Sequence, residues 1–212
     1  MLKTNRLAIM GLFVALMSVS AWMRIPLPTP LGMTYLTFQT AVAILAALLL
    51  TPWEAFITMA VYLALGLVGL PVFANPAFAG LGYLASPTFG YLIGFMLGAP
   101  LGSLFLNRTP PELPDDLKVR GLLKGIETEQ TTHVPGQYNF GQCFMAALVV
   151  IMVVFSCGIF YTWAYSRWVL GVPVAFATLT TVTSAFLWLK DTVLGALVAS
   201  IAPRLRAIID RS

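Results

Sequence analysis

Charge is what this chain has least of: 9% of its 212 residues are Asp, Glu, Lys or Arg, against 59% that are hydrophobic. A soluble globule of this size needs a polar coat that so few charges cannot supply, so a water-soluble domain is excluded. Histidine occurs once, at His133, and cysteine twice, at Cys143 and Cys157. That leaves no Cys/His spacing for a metal and almost no material for a nucleophile paired with a base; neither a metal site nor catalytic residues are expected, and no cofactor is implied. The two cysteines fall on one expected helix, about 21 Å apart at 1.5 Å per residue, too far to pair.

What is present is apolar bulk. Mean hydropathy is +0.88, with 14 Phe and 5 Trp. The chain reads as an all-α integral membrane protein, because a helix of about 17–25 apolar residues spans a bilayer while satisfying its own backbone. Six transmembrane segments are expected, near Leu7–Met23, Thr37–Leu50, Pro52–Gly69, Thr88–Leu106, Cys143–Tyr165 and Ala185–Ile201. The first stops at the proline-rich "RIPLPTPLG", the third starts at Pro52, and the last closes with Pro203. The second is short, and either enters at an angle or is shielded by its neighbours.

Six spans put both termini on one side. That side would carry Lys3, Arg6, Arg108, Lys118, Arg120, Lys124, Arg204, Arg206 and Arg211, and the other only Arg24 and Arg167, which predicts cytoplasmic termini. The net charge of +4 is therefore an orientation signal and not a nucleic-acid footprint. A competing reading takes the N-terminal apolar stretch and "VSA" at 19–21 as a cleavable leader.

Residues 1–212 form one membrane domain with one insertion. From Asn107 to Gln142 the composition shifts to "NRTPPELPDDLKVRGLLKGIETEQTTHVPGQYNFGQ", which suits a polar cytoplasmic loop; a connector and a docking or regulatory segment both stand open. The opposite loops are apolar, aromatic and rich in Gly and Pro, fit to fold over the helix ends and roof a cavity for a small ligand. Polar candidates there are Thr34, Thr37, Gln39, Tyr62, Asn75, Tyr83, Thr88, Tyr91, Lys190 and Asp191.

In "WLKDTVLG", Asp191 weighs most, since an ionisable residue at hydrocarbon depth costs roughly 2.5–3.5 kcal/mol. Its alternatives are structural pairing or a first-turn charge on the helix dipole; for Lys190 the alternative is snorkelling. Lys190 is rotated by about 100° from Asp191 on a helix. Gln39 serves either a ligand or a neighbouring helix, Asn75 a ligand or a turn, and Tyr62 and Tyr91 a ligand or the membrane interface. Gly11 and Ala15 form a small-xxx-small pair, for packing either within the chain or against a partner.

The stretches "GLFVALMSVSAWMRIPLP", "TFQTAVAILAALLLT", "VYLALGLVGLPVFA", "SPTFGYLIGFMLGAPLG" and "FLWLKDTVLGALVASIAPRL" resemble the BioY family, biotin-binding S components of energy-coupling factor transporters. The resemblance implies a six-helix protein of a prokaryotic plasma membrane, not an enzyme. It would capture biotin from outside and work with a transmembrane coupling subunit and two cytoplasmic ATPase subunits. It places partner contact at Gly11 and Ala15 and makes Asp191 the acceptor for the ligand's ureido N–H groups; beside it, the residue reading expects Lys190 or Asn75 to meet the ligand carboxylate and keeps Gln39, Thr37, Tyr62 and Tyr91 as further candidate ligand contacts. The chain has no GxxxxGK[ST] segment, so its energy source lies elsewhere. The family's lysine three residues after the aspartate is Leu194 here, which keeps two rivals in view: an S component for another small vitamin or carboxylate, and a non-transporting membrane scaffold.

Overall fold

The computed structural model describes residues 4–29, 32–75, 80–109, 138–171 and 176–209; the expectations for His133 and for most of the 107–142 insertion lie outside them. Six α-helices are described: α1 Thr4–Trp22, α2 Gln39–Leu49, α3 Pro52–Leu67, α4 Phe89–Arg108, α5 Phe140–Trp168 and α6 Phe176–Ile209. Four are long and apolar enough to cross a membrane, with the α6 stretch being Ala185–Arg206. At 11 residues, α2 is about 16 Å long, well short of a bilayer core. Eight of its residues, from Gln39 to Leu49, are buried, so it is shielded by neighbouring helices.

The proline-rich stretch after α1 forms a hairpin, β1 Ile25–Thr29 and β2 Gly32–Leu36, with Ile25 opposite Leu36. Its prolines alone predict a loop. Pro26 and Pro28 lie two apart, so their missing N–H groups fall on the same edge of an extended chain, and a two-stranded ribbon can turn that edge away from its partner strand.

Helix starts follow local chemistry. At α3, Thr51 Oγ1 accepts from the Glu54 N–H and Glu54 Oε2 accepts from the Thr51 N–H at 2.9 Å, with Pro52 just inside. Helix α6 departs from expectation at both ends. It begins at Phe176 and runs through Pro203 to Ile209. The threonine-rich "FATLTTVTS" interrupts the hydropathy but not the helix, because threonine costs a helix interior well under about 1 kcal/mol. Lys190 and Asp191 consequently lie about four turns beyond the helix start, and the first-turn dipole reading of Asp191 does not hold.

The core is a close seam between α4 and α5. Gly90, Gly94, Gly98 and Gly102 recur every four residues along one stripe of α4. A Cβ on Gly94 would sit 2.7 Å from the Val154 Cα, and one on Gly98 3.1 Å from the Val150 carbonyl oxygen. Backbones approach this closely only where side chains are absent. The outward faces carry the bulk instead: on α6, Phe186, Leu189, Val193, Leu197 and Ile201 are all exposed, a stripe that suits hydrocarbon rather than water.

Candidate functional site

At the end of the bundle where the hairpin lies, a cavity of about 600 Å³ including its open mouth is bounded by α2, α4, α5, α6, the hairpin and the segment after α3. The wall is apolar, built from Leu92, Phe95, Val154, Phe155 and Leu187. Tyr91 leans edge-on against Phe155 at 6.0 Å, and Phe155 contacts Trp188 at 5.3 Å. Gly158 makes room for the Tyr91 ring, since a Cβ there would lie 2.4 Å from it.

Polar groups gather where α2 meets α6. Asp191 is 3% exposed. Its Oδ2 accepts from Thr40 Oγ1 at 3.1 Å, and its Oδ1 lies 2.6 Å from Lys190 Nζ. Lys190 also donates to the Thr37 carbonyl at 2.6 Å. Adjacent helix residues do not normally face each other, and the sequence reading set Lys190 apart from Asp191 for that reason. The four-carbon lysine stem bends back far enough to reach the carboxylate. Each carboxylate oxygen has more than one lone-pair site, so both retain capacity to accept from a ligand.

Gln39 is also buried; its Nε2 donates to the Tyr62 hydroxyl at 2.7 Å, which donates to the Val72 carbonyl at 3.0 Å. Tyr62 thus stands behind Gln39 and fixes its amide. Five of the seven candidate ligand residues, Thr37, Gln39, Tyr91, Lys190 and Asp191, line the cavity. Tyr62 and Asn75 are not among the lining residues; the neighbour of Asn75, Ala74, is. The Thr34 side chain lies outside the described ones.

Thr40 and Tyr35 line the cavity and escaped sequence reading. Thr40 was legible in principle, one position beyond Gln39 on the same helix start, whereas Tyr35 needed the hairpin. Tyr83 and Thr88 also line it. Burial pushes the Tyr83 hydroxyl up from its ordinary pKa, opposed by hydrogen bonding to Thr88 and the Asn75 backbone and by the nearby Arg24 charge. Opposite this cluster, α5 pins the segment before α4: Tyr161 donates its hydroxyl to the Leu84 carbonyl, and Thr162 donates to that of Pro87 at 2.9 Å. Among the described residues no group of His, Cys, Asp and Glu is arranged to hold a metal.

The helical bundle thus carries, at one end, a cavity with apolar walls and a polar corner where α2 meets α6. The family model for the BioY family matches residues 1–211, and the chain belongs to that family. It is 40% identical over 106 residues to a probable biotin transporter BioY of Lysinibacillus sphaericus, covering 50% of this chain and 51% of that one. It is 44% identical over 90 residues to the biotin transporter BioY of Thermotoga maritima, covering 42% and 50%. The chain spans about half the length of the curated relatives it matches. Its fold resembles that of a crystal structure described as the S-component for biotin from an ECF-type ABC transporter, with a TM-score of 0.71, 20% identity, and coverage of 98% and 95%.

Proposed function

We propose that the chain is the substrate-capture subunit of a vitamin uptake transporter, binding biotin from outside the cell. The observation that carries this reading is Asp191: a buried carboxylate within a membrane-length apolar helix, steadied by Thr40 and Lys190, opening onto a cavity with apolar walls. A ureido ring presents two N–H donors and an apolar body. Asp191 accepts the donors, Gln39 and Thr37 stand beside them, and Tyr91 with Phe155 covers the ring. Binding requires no covalent chemistry. Leu194 is not among the lining residues, and Lys190 meets the carboxylate from the preceding turn side instead.

The same reading makes all six helices membrane-embedded, both termini and the 107–142 insertion cytoplasmic, and the cavity external, in a prokaryotic plasma membrane. Transport then needs a transmembrane coupling subunit and two cytoplasmic ATPase subunits. Docking on α1 is supported by its small-residue strip: Gly11 and Ala15 are exposed, and a Cβ on Gly11 would meet no atom within 4 Å. Ala15→Leu should weaken copurification with the coupling subunit and leave biotin affinity within about twofold; loss of biotin binding with normal assembly would assign the strip to internal packing.

Calorimetric titration of purified protein with biotin, riboflavin, thiamine and pantothenate tests the ligand. Saturable binding of biotin alone is the expected result, and binding of another vitamin in its place would overturn the assignment.

A further inference from the structure

We infer that Arg24, at the mouth of the cavity, receives the anionic end of the ligand, and that the cavity thereby orients its ligand with the neutral polar head at Asp191 and the anion outward. This rests on the reading of the cavity as a biotin site.

The floor of the cavity is spoken for. Lys190 is paired with Asp191 and donates to the Thr37 carbonyl, so the two side chains sum to zero charge. A carboxylate brought to Lys190 would also face the Asp191 carboxylate, which repels it.

The mouth is different. Arg24 links α1 to β1. Its Nη1 donates to the Ala74 carbonyl, and its guanidinium lies 5.2 Å from the centre of the Tyr35 ring. It is also near enough to Tyr83 to act on that hydroxyl. Ala74 and Tyr35 both line the cavity, so two lining residues from two chain segments converge on one guanidinium. Its backbone is anchored as well: the Arg24 N–H donates to the Trp22 carbonyl at 2.9 Å, and Trp22 Nε1 donates to the Pro71 carbonyl at 2.8 Å. The acids with described side chains, Glu54 and Asp191, are paired with Arg6 and Lys190, and among the described residues no carboxylate pairs with Arg24. A guanidinium has five N–H donors in a planar fork. Stacking on Tyr35 occupies a face, the Ala74 carbonyl takes one edge position, and the remaining fork matches a carboxylate.

The test compares biotin with biotin methyl ester, which keeps the ring system and removes the charge. Calorimetry on wild-type protein should show biotin binding tighter than the ester and weakening as salt is raised. Arg24→Gln should weaken biotin roughly tenfold, the low end for a charge-assisted bond at an open mouth, while leaving the ester within about twofold and removing most of the salt dependence. Arg24→Lys should restore part of the biotin affinity. If Arg24→Gln weakens biotin and ester equally, Arg24 only ties the hairpin to the segment after α3, and the inference falls while the biotin reading stands. Unchanged affinity for both ligands overturns it too. Wild-type protein that binds neither ligand overturns the biotin reading and this inference together.

Discussion

Two buried carboxylates, one at each end of the bundle, differ in what their surroundings leave open. Glu54 and Asp191 are 5% and 3% exposed, and each has a base beside it, Arg6 at 3.6 Å and Lys190 at 2.6 Å. Glu54 is consumed locally: it closes the capping box of α3 with Thr51, three residues away, and it does not line the cavity. Asp191 sits mid-helix, where no orphan backbone N–H needs it, and its partner Thr40 is 151 residues distant. Burial and pairing are shared by the two. Position on the helix and an adjoining cavity are not.

The end around Glu54 is held as a clasp. Arg206 donates to the Leu48 carbonyl at 3.2 Å and to Asn107 Oδ1 at 3.4 Å, and lies 4.5 Å from the centre of the Tyr138 ring. One side chain of α6 thereby ties the ends of α2 and α4 to the residues preceding α5. The cavity end divides its polar contacts between Asp191, Gln39 and the loops, which leaves donors and acceptors for a ligand.

The comparison breaks first at Asp191. Asp191→Asn keeps the shape but presents a donor to Lys190 and to the ligand's N–H groups, so biotin affinity should fall ten- to a hundredfold or more by calorimetry, from a charge-assisted bond of about 1.5–3 kcal/mol and the cost of mismatched donors. An unchanged affinity would place the ligand elsewhere. Lys190→Met comes next. It strips the counter-charge from Asp191 and should lower thermal stability in detergent by the equivalent of about 1–3 kcal/mol, discounted from a fully buried pair because Lys190 is partly exposed. It should also weaken biotin and its methyl ester alike; selective loss of biotin would return the ligand carboxylate to Lys190.

Glu54→Gln should do the reverse of Asp191→Asn: thermal stability drops by about 0.5–1 kcal/mol through the weakened cap, and biotin affinity stays within about twofold. A large affinity loss would show that the two ends are coupled. Comparable in size is the effect of Tyr62→Phe, which removes the hydroxyl between Gln39 and Val72. Biotin affinity should fall about three- to tenfold, the size of one neutral hydrogen bond acting through a neighbour; a loss matching Asp191→Asn would mean that Tyr62 itself reaches the ligand.

Residues with a strong one-dimensional signal were legible in the sequence. Hydrophobic runs marked the four helices that are long and apolar enough to cross a membrane, since length and hydropathy are what the bilayer selects. Pro52 marked the start of α3. Asp191 stood out because an acid in an apolar helix is costly wherever the helix lies. The start of α6 was hidden because threonines lower hydropathy without ending a helix. The hairpin was hidden because prolines at alternate positions read equally as a loop.

By itself, then, the sequence determined the class of protein, its helical segments and the acid that needs explaining, all properties of composition and spacing along one chain. Only the tertiary structure decided that Thr40 meets Asp191, that Tyr62 stands behind Gln39 and that Arg24 stands over Tyr35 at the cavity mouth. Each of those contacts joins residues from different helices, strands or loops, and local propensity carries no information about which side chains a packed bundle will bring within hydrogen-bonding distance.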